Sequence, residues 1–241
     1  MWRIRSLLFN ILFYSLSFII LTACLPMVVL PRSWQRCVPP VWLWVGDKLE
    51  KYVLNLRYEV IGRENLPAAP YIVAMKHQSA WETMKLYALF GNPAIVLKKE
   101  LMDAPILGSY AHVMDMVPVD RSKGREATKF MIQEAQKILR DKRPLVIFPQ
   151  GTRVAPLAKK PYKRGIVKIY EEMNIPMVPV ALNSGVFWGR KKFWKRPGKI
   201  TIRIFPAIPA GQNPDEAFDT MQNLVETESM RLSQEALATL K

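Results

Sequence analysis

The chain has 241 residues, half of them hydrophobic, and a net charge of +15. It is long and apolar enough to bury a sizeable core, which excludes general disorder. The cationic surplus favours anionic partners: nucleic acid, an acidic membrane surface or a phosphorylated substrate. Two cysteines, Cys24 and Cys37, and two distant histidines, His77 and His112, form no zinc-ligand pattern. Without a disulfide framework, a reducing compartment is the simple reading.

From Leu7 to Leu30 there is no charged residue. As a helix this run would span about 36 Å at about 1.5 Å per residue, against a hydrocarbon core of roughly 30 Å. A cleaved leader would have a shorter apolar core and an A-x-A-like site after it. Pro26 and Pro31 interrupt the second half, and basic residues flank both ends (Arg3, Arg5, Arg32, Arg36), so charge does not set the orientation. The following "VWLWVGDKLEKYVLNL" places Val41, Val45, Leu49 and Val53 at helical spacing among charges, an amphipathic pattern suited to an interface. Two arrangements fit: a single span, or a helix pair dipping into one leaflet. Residues 1–55 are thus expected to form a membrane anchor, joined near 31–40 to a body over 56–241.

The body alternates short apolar runs with helical stretches. Strands are expected at 57–62, 71–75, 94–98, 116–119, 145–149, 177–182 and 200–205, and helices near 80–90, 123–141, 163–173 and 214–240. In the second helix, Ala127, Phe130, Met131, Ala135, Ile138 and Leu139 form one stripe. The pattern predicts one α/β domain, with a mostly buried central mixed sheet flanked by helices.

Two readings compete at "MKHQSAWE" (75–82). Ser79 and Glu82 fit a capping box, in which the glutamate reaches back to a backbone N–H. His77 and Glu82 also fit a catalytic pair. An imidazole can accept a proton from a hydroxyl at neutral pH, and a carboxylate on its other nitrogen fixes the tautomer.

Three further segments stand in order behind it: "KKELMDAPILG" (98–108) with "VPVDR" (117–121), then "FPQGTR" (148–153), then "IPMVPVAL" (175–182). With "HQSAWE" (77–82), the set resembles the lysophosphatidic acid/glycerol-phosphate acyltransferase family over roughly residues 55–210. Glu82 stands where the family pattern has aspartate, and Gln150 where it has glutamate. The resemblance implies transfer of a fatty acyl group from acyl-CoA or acyl-carrier protein to the sn-2 hydroxyl of 1-acyl-sn-glycerol 3-phosphate, giving phosphatidic acid. His77 would be the general base and Glu82 its orienting acid. Arg121 and Arg153 would grip phosphate, a task suited to planar guanidinium groups, with Lys99 and Lys163 as further cations and Gln150, Gly151 and Thr152 forming the substrate loop. It implies no metal and no cofactor beyond the acyl-carrying cosubstrate.

"FWGRKKFWKRPGK" (187–199) mixes Phe187, Trp188, Phe193 and Trp194 with cations. That composition suits an anionic bilayer surface and also single-stranded nucleic acid. Beside the apolar N-terminus the membrane reading is preferred, with no nucleic acid expected. The alternatives are an acyltransferase for another lysolipid, such as lyso-ornithine lipid or lysophosphatidylcholine, and a non-enzymatic basic membrane-anchored binding protein. The expected location is a bacterial inner membrane, with the catalytic domain on the cytoplasmic side.

Overall fold

A computed structural model describes residues 1–24, 34, 38–104, 107–120 and 124–240. Each apolar run of the body supplies one strand: β1 (Leu56–Ile61), β2 (Ile72–Met75), β3 (Ala94–Lys98), β4 (Val117–Val119), β5 (Leu145–Ile147), β6 (Met177–Leu182) and β7 (Gly198–Ile204). They form a seven-stranded sheet in the order β1-β7-β6-β2-β5-β3-β4. The pairings are parallel except β6 against β7, which makes the sheet mixed. Every residue of β2, β5 and β6 is buried, as expected for parallel strands covered on both faces.

The helices are α1 (Trp2–Ala23), α2 (Val38–Leu49), α3 (Trp81–Phe90), α4 (Leu107–Val113), α5 (Arg125–Arg140), α6 (Gly165–Met173), α7 (Ser184–Phe187) and α8 (Pro214–Ala238). Strand alternation divides the core between them. Ile72, Ala74, Leu145 and Ile147 pack with apolar residues of α5, α6 and α8. Val73, Met75 and Val146 point the other way, toward α1, α3, Phe187 and Trp188. The start of α8 is set by Asn213, whose side-chain oxygen accepts from the N–H groups of Asp215 and Glu216, with Pro214 as the first helical residue.

Three details depart from the sequence pattern. Phe130 lies at the edge of the α5 stripe and is exposed, while Ala127, Ala135 and Ile138 are buried. The amphipathic segment turns its inner face through Gly46, Glu50 and Leu54; Val41 is exposed, and Val45, Leu49 and Val53 are half-buried. A π-helical turn at Glu50–Leu54 closes this segment. Finally, α1 starts at Trp2 and ends before the prolines. The rest of the apolar run, residues 25–30, lies outside the described residues, as does most of the 31–40 joint.

Helix α1 is long and apolar enough to cross a membrane, yet one side of it belongs to the body. Ser6, Phe9, Asn10 and Phe13 are buried, whereas Ile4, Leu7, Leu8, Ile11, Phe18 and Ile19 are exposed. Ser17 ties α1 to α2 by accepting from Trp42 Nε1 at 2.8 Å. The α2 segment is fastened in turn to α3. Glu50 Oε2 accepts from Trp81 Nε1 at 2.7 Å and pairs with Lys85 Nζ at 2.8 Å, and Lys85 also pairs with Asp47. Burial alone would lower the Lys85 pKa, but Glu50 and Asp47 outweigh it and hold it raised.

Candidate active site

The site forms where β2 ends. Its last residues run straight into His77 and the first turn of α3, so an imidazole from a strand end and a carboxylate from a helix start meet across a short bend. His77 Nδ1 lies 2.7 Å from Glu82 Oε1. The same oxygen accepts from the backbone N–H groups of Gln78 and Ser79, each at 2.7 Å. Ser79 Oγ accepts from the N–H of Trp81 at 3.1 Å. Ala80, not Ser79, stands at the N-cap of α3, one residue later than a capping box at Ser79 places it, yet the bond to the Ser79 N–H and the orientation of His77 fall on a single oxygen atom. The longer glutamate chain folds back far enough to do both.

Glu82 is fully buried, and its second oxygen is also occupied. Oε2 accepts from Ser184 Oγ at 2.7 Å, in the first turn of α7 just beyond β6. Gln78 Oε1 accepts from the N–H of Gly185 at 3.0 Å, a second tie between the same two segments. The carboxylate thus receives four hydrogen bonds, which fix its position and offset the cost of burying its charge. With Nδ1–H given to Glu82, the lone pair of His77 resides on Nε2, the nitrogen free to take a proton.

The "FPQGTR" segment wraps His77. Phe148 stacks on the imidazole, with centroids 4.0 Å apart and planes at 23°. The N–H of Val154, next to Arg153, donates to the His77 carbonyl at 2.8 Å. Between them Gly151 adopts φ +66°, a left-handed conformation that favours glycine. Gln150 is buried, and its Nε2 donates to the Lys160 carbonyl at 3.1 Å. A carboxylate could not make that bond, so the amide acts as a brace for the loop.

Two cavities flank this centre. One of about 390 Å³ lies between α1, α2, the first turns of α3 and the basic stretch; its lining includes Ala80, Thr83, Met84 and Arg153. The other, of about 190 Å³, is a largely apolar cleft reached past Phe148, Pro149, Gly151 and Lys163, with Val96, Val119, Met131 and Ile166 as walls.

The structure brings His77, Glu82, Gln150, Gly151, Thr152, Arg153 and Lys163 around one strand end; Thr152 and Arg153 are half-buried. Lys99 is exposed in a short 3₁₀ turn after β3 and lines neither cavity. Arg121 lies outside the described residues. His112 is exposed on α4. Of the basic stretch, Phe193 and Trp194 are exposed, but Phe187, Trp188 and Lys195 are buried, so only part of the segment expected to suit a bilayer surface faces outward. Ser184 and Gln78 are the polar partners that sequence reasoning did not single out.

A network behind the strand end completes the surroundings. Lys76 Nζ pairs with Glu226 Oε2 of α8 at 2.5 Å, and Tyr162 OH donates to the same oxygen at 3.0 Å. Burial lowers the Lys76 pKa, and Glu226 offsets part of that. The residue before His77 and the residue before Lys163 are thereby held to one helix.

The acyltransferase family model matches residues 57–183. A 1-acyl-sn-glycerol-3-phosphate acyltransferase of Pseudomonas aeruginosa is 33% identical over 214 residues, covering 88% of this chain and 83% of that protein. The alpha form of the enzyme from Ovis aries is 28% identical over 170 residues, 69% of this chain and 59% of that one, so the chain spans about three fifths of the mammalian protein. The crystal structure of the 1-acyl-sn-glycerophosphate acyltransferase of Thermotoga maritima superposes with a TM-score of 0.73 at 22% identity, covering 96% of this chain and 98% of that one, and shows the same fold. The chain belongs to the acyltransferase family, in its lysophosphatidic acid acyltransferase branch.

Proposed function

We propose that this acyltransferase moves a fatty acyl group from an acyl thioester, carried by CoA or acyl-carrier protein, to the sn-2 hydroxyl of 1-acyl-sn-glycerol 3-phosphate. The observation that carries the reading is the pair at β2: an imidazole held at Nδ1 by a buried carboxylate, beside the arginine of the wrapped loop. His77 Nε2 takes the proton of the acceptor hydroxyl as its oxygen attacks the thioester carbonyl. The tetrahedral intermediate collapses with cleavage of the C–S bond. The leaving sulfur takes up the proton from His77, giving a free thiol, the diacyl phosphate and the starting enzyme. Glu82 keeps the ring oriented and stabilises the imidazolium between the two transfers. Arg153, with Arg121, is the proposed phosphate contact; Lys163 lines the apolar cleft beside Phe148, which is suited to an acyl chain, and Lys99, which lines neither cavity, is given no phosphate contact. Neither a metal ion nor a bound cofactor enters this scheme.

The chemistry is placed at a bilayer surface. The buried side of α1 against the body, and the α1–α2 tie, favour a helix pair seated in one leaflet over a free-standing span. A bacterial inner membrane, with the site on the cytoplasmic side, fits the supply of acyl thioesters.

The test is thiol release by purified protein from acyl-CoA or acyl-carrier-protein thioester, with lysophosphatidate, lysophosphatidylcholine or lyso-ornithine lipid as acceptor. Release with lysophosphatidate, and its loss in His77→Ala with the fold retained, is expected. Full activity in that variant would refute the mechanism. A preference for another acceptor would transfer the reading to that lipid, and absence of thiol release with every acceptor would leave a binding protein.

A further inference from the structure

Lys195 is 2% exposed, and no carboxylate reaches it among the described residues. Its Nζ donates to Asn10 Oδ1 at 2.5 Å and to the Phe193 carbonyl at 3.2 Å. Rings surround it: Trp188, Phe9 and Tyr14, with centroids 4.8, 5.8 and 5.9 Å from Nζ. Its backbone N–H donates to Ser6 Oγ at 2.8 Å. An ammonium has three N–H bonds, so one remains unused. A buried cation without a counter-charge is costly to maintain. Burial pulls its pKa down to about 8.

Lys195 lines the larger cavity. So do Arg153, Lys191 and Lys192, and the described residues of its lining include no aspartate or glutamate. The rest of the wall is mostly apolar and aromatic, with Phe13, Trp42, Met84 and Trp188 beside Tyr14 and Thr83. At about 390 Å³ the cavity is within the range of small-molecule sites. Ala80 and Thr83, on either side of Glu82 at the start of α3, also line it. Four cations and an apolar wall describe a ligand with a compact, strongly anionic head and a hydrocarbon chain.

We infer that Lys195 is a specificity-determining residue, the buried cation that meets the phosphate monoester of the lysolipid acceptor in this cavity. This rests on the lysophosphatidate reading above and extends it to a side chain from the basic stretch. The phosphate sits between Lys195 and Arg153, and the chain leaves along Phe13 and Trp42 toward the exposed sides of α1 and α2. A choline head would bring a second ammonium into a cavity of cations, so the site rejects it by repulsion. Through Ser6 and Asn10, the same residue fixes α1 against the site.

The test compares wild type, Lys195→Met and Lys195→Arg as full chains in detergent micelles. Lys195→Met should raise KM for lysophosphatidate at least tenfold more than it raises KM for monoacylglycerol, which lacks the phosphate. Lys195→Arg should restore much of that discrimination. Equal effects on both acceptors, or a rise confined to the acyl donor, would overturn the inference. Labelling of the wild type with acetic anhydride removes dependence on a variant that fails to fold. The groups facing the lysine are Arg153, Lys191 and Lys192 across the cavity and Tyr14 on α1. Lysophosphatidate should protect Lys195 in a peptide map, and monoacylglycerol should not. Protection by CoA alone, or no protection by lysophosphatidate, would refute the assignment. Wild type that turns over no lysophosphatidate refutes the parent reading itself; active wild type with an unaffected variant refutes only the role of Lys195.

Discussion

Replacing Glu82 by glutamine separates the two tasks that its Oε1 performs. A glutamine oxygen can still accept from the N–H groups of Gln78 and Ser79, and its amide would face Ser184 Oγ, a hydroxyl that can accept as well as donate. The cap survives and the charge is lost. We expect kcat to fall by about 10²–10⁴-fold, the range of general acid–base contributions. Stability, measured from the denaturant midpoint, should change by no more than the roughly 1 kcal/mol of one capping interaction. Activity near wild type would make Glu82 a structural cap only. Much of this site was legible in the sequence because His77, Glu82 and Arg153 belong to short contiguous motifs. Ser184 was not: its partner is 102 positions away, and no local spacing announces a contact created by the sheet order. Gln150 carried a visible departure from the family pattern, but only its bond to the Lys160 carbonyl gives that amide a physical reason. Lys195 was visible as a cation yet misassigned to the surface, because composition does not reveal which lysine of a basic stretch turns inward.

At the scale of elements, the charged cluster Asp47–Lys85–Glu50 decides how the N-terminal segment meets α3, the helix that carries Glu82. Lys85 is 3% exposed and holds acids from α2 and from the π-helical turn against α3. Removing only the lysine leaves Glu50 buried without its cation. Lys85→Ala should therefore cost about 3–5 kcal/mol in denaturant unfolding. The double variant Glu50→Gln/Lys85→Met should recover part of the loss, since a glutamine oxygen can still accept from Trp81 Nε1. Additive losses would show that the pair is not coupled. The central strands were readable because buried parallel strands are short unbroken apolar runs between turn residues, and the edgeward β1 and β7 because apolar and polar residues alternate along them. Their order was not, and neither was the antiparallel β6–β7 pairing, since both depend on contacts between distant segments. The short α4 was missed: "LGSYAHV" has too few apolar positions to show a helical stripe. The inward face of residues 41–54 lies one residue beyond the expected one, through Gly46, Glu50 and Leu54, because a glycine and a paired glutamate face the body where apolar spacing alone would place valine and leucine.

For the whole molecule, charge and apolar exposure lie together. The open side of α1 presents Ile4, Leu7, Leu8, Ile11, Phe18 and Ile19, and α2 adds Val41 and Trp44. At the start of α1, Trp2 packs edge-on against Trp194 at 6.3 Å, Trp194 packs against Phe193 at 4.9 Å, and Arg3 and Arg196 lie 5.5 and 5.4 Å from the Trp2 ring. Half-exposed aromatics beside arginines are matched to the boundary between head groups and acyl chains. In the proposed docking, the cations would draw the protein to an anionic surface and the rings would then enter it. These contributions respond differently to salt, because screening weakens attraction between exposed charges but not burial of apolar area. Phe193→Ser/Trp194→Ser should weaken sedimentation with anionic phospholipid vesicles by about thirtyfold, since the two rings together would forfeit on the order of 2 kcal/mol, each about 1 of its full burial value of about 1.5–3 kcal/mol. The loss should persist at high salt, where wild-type binding is itself reduced. Turnover of lysophosphatidate presented in detergent micelles should change much less than turnover on vesicles, because neither side chain lines the larger cavity. If the double variant bound vesicles as wild type does, the exposed face of α1 would be sufficient for docking and the basic stretch would serve the site alone. If micellar turnover fell in step with vesicle binding, the two rings would be supporting Lys195 rather than the bilayer contact.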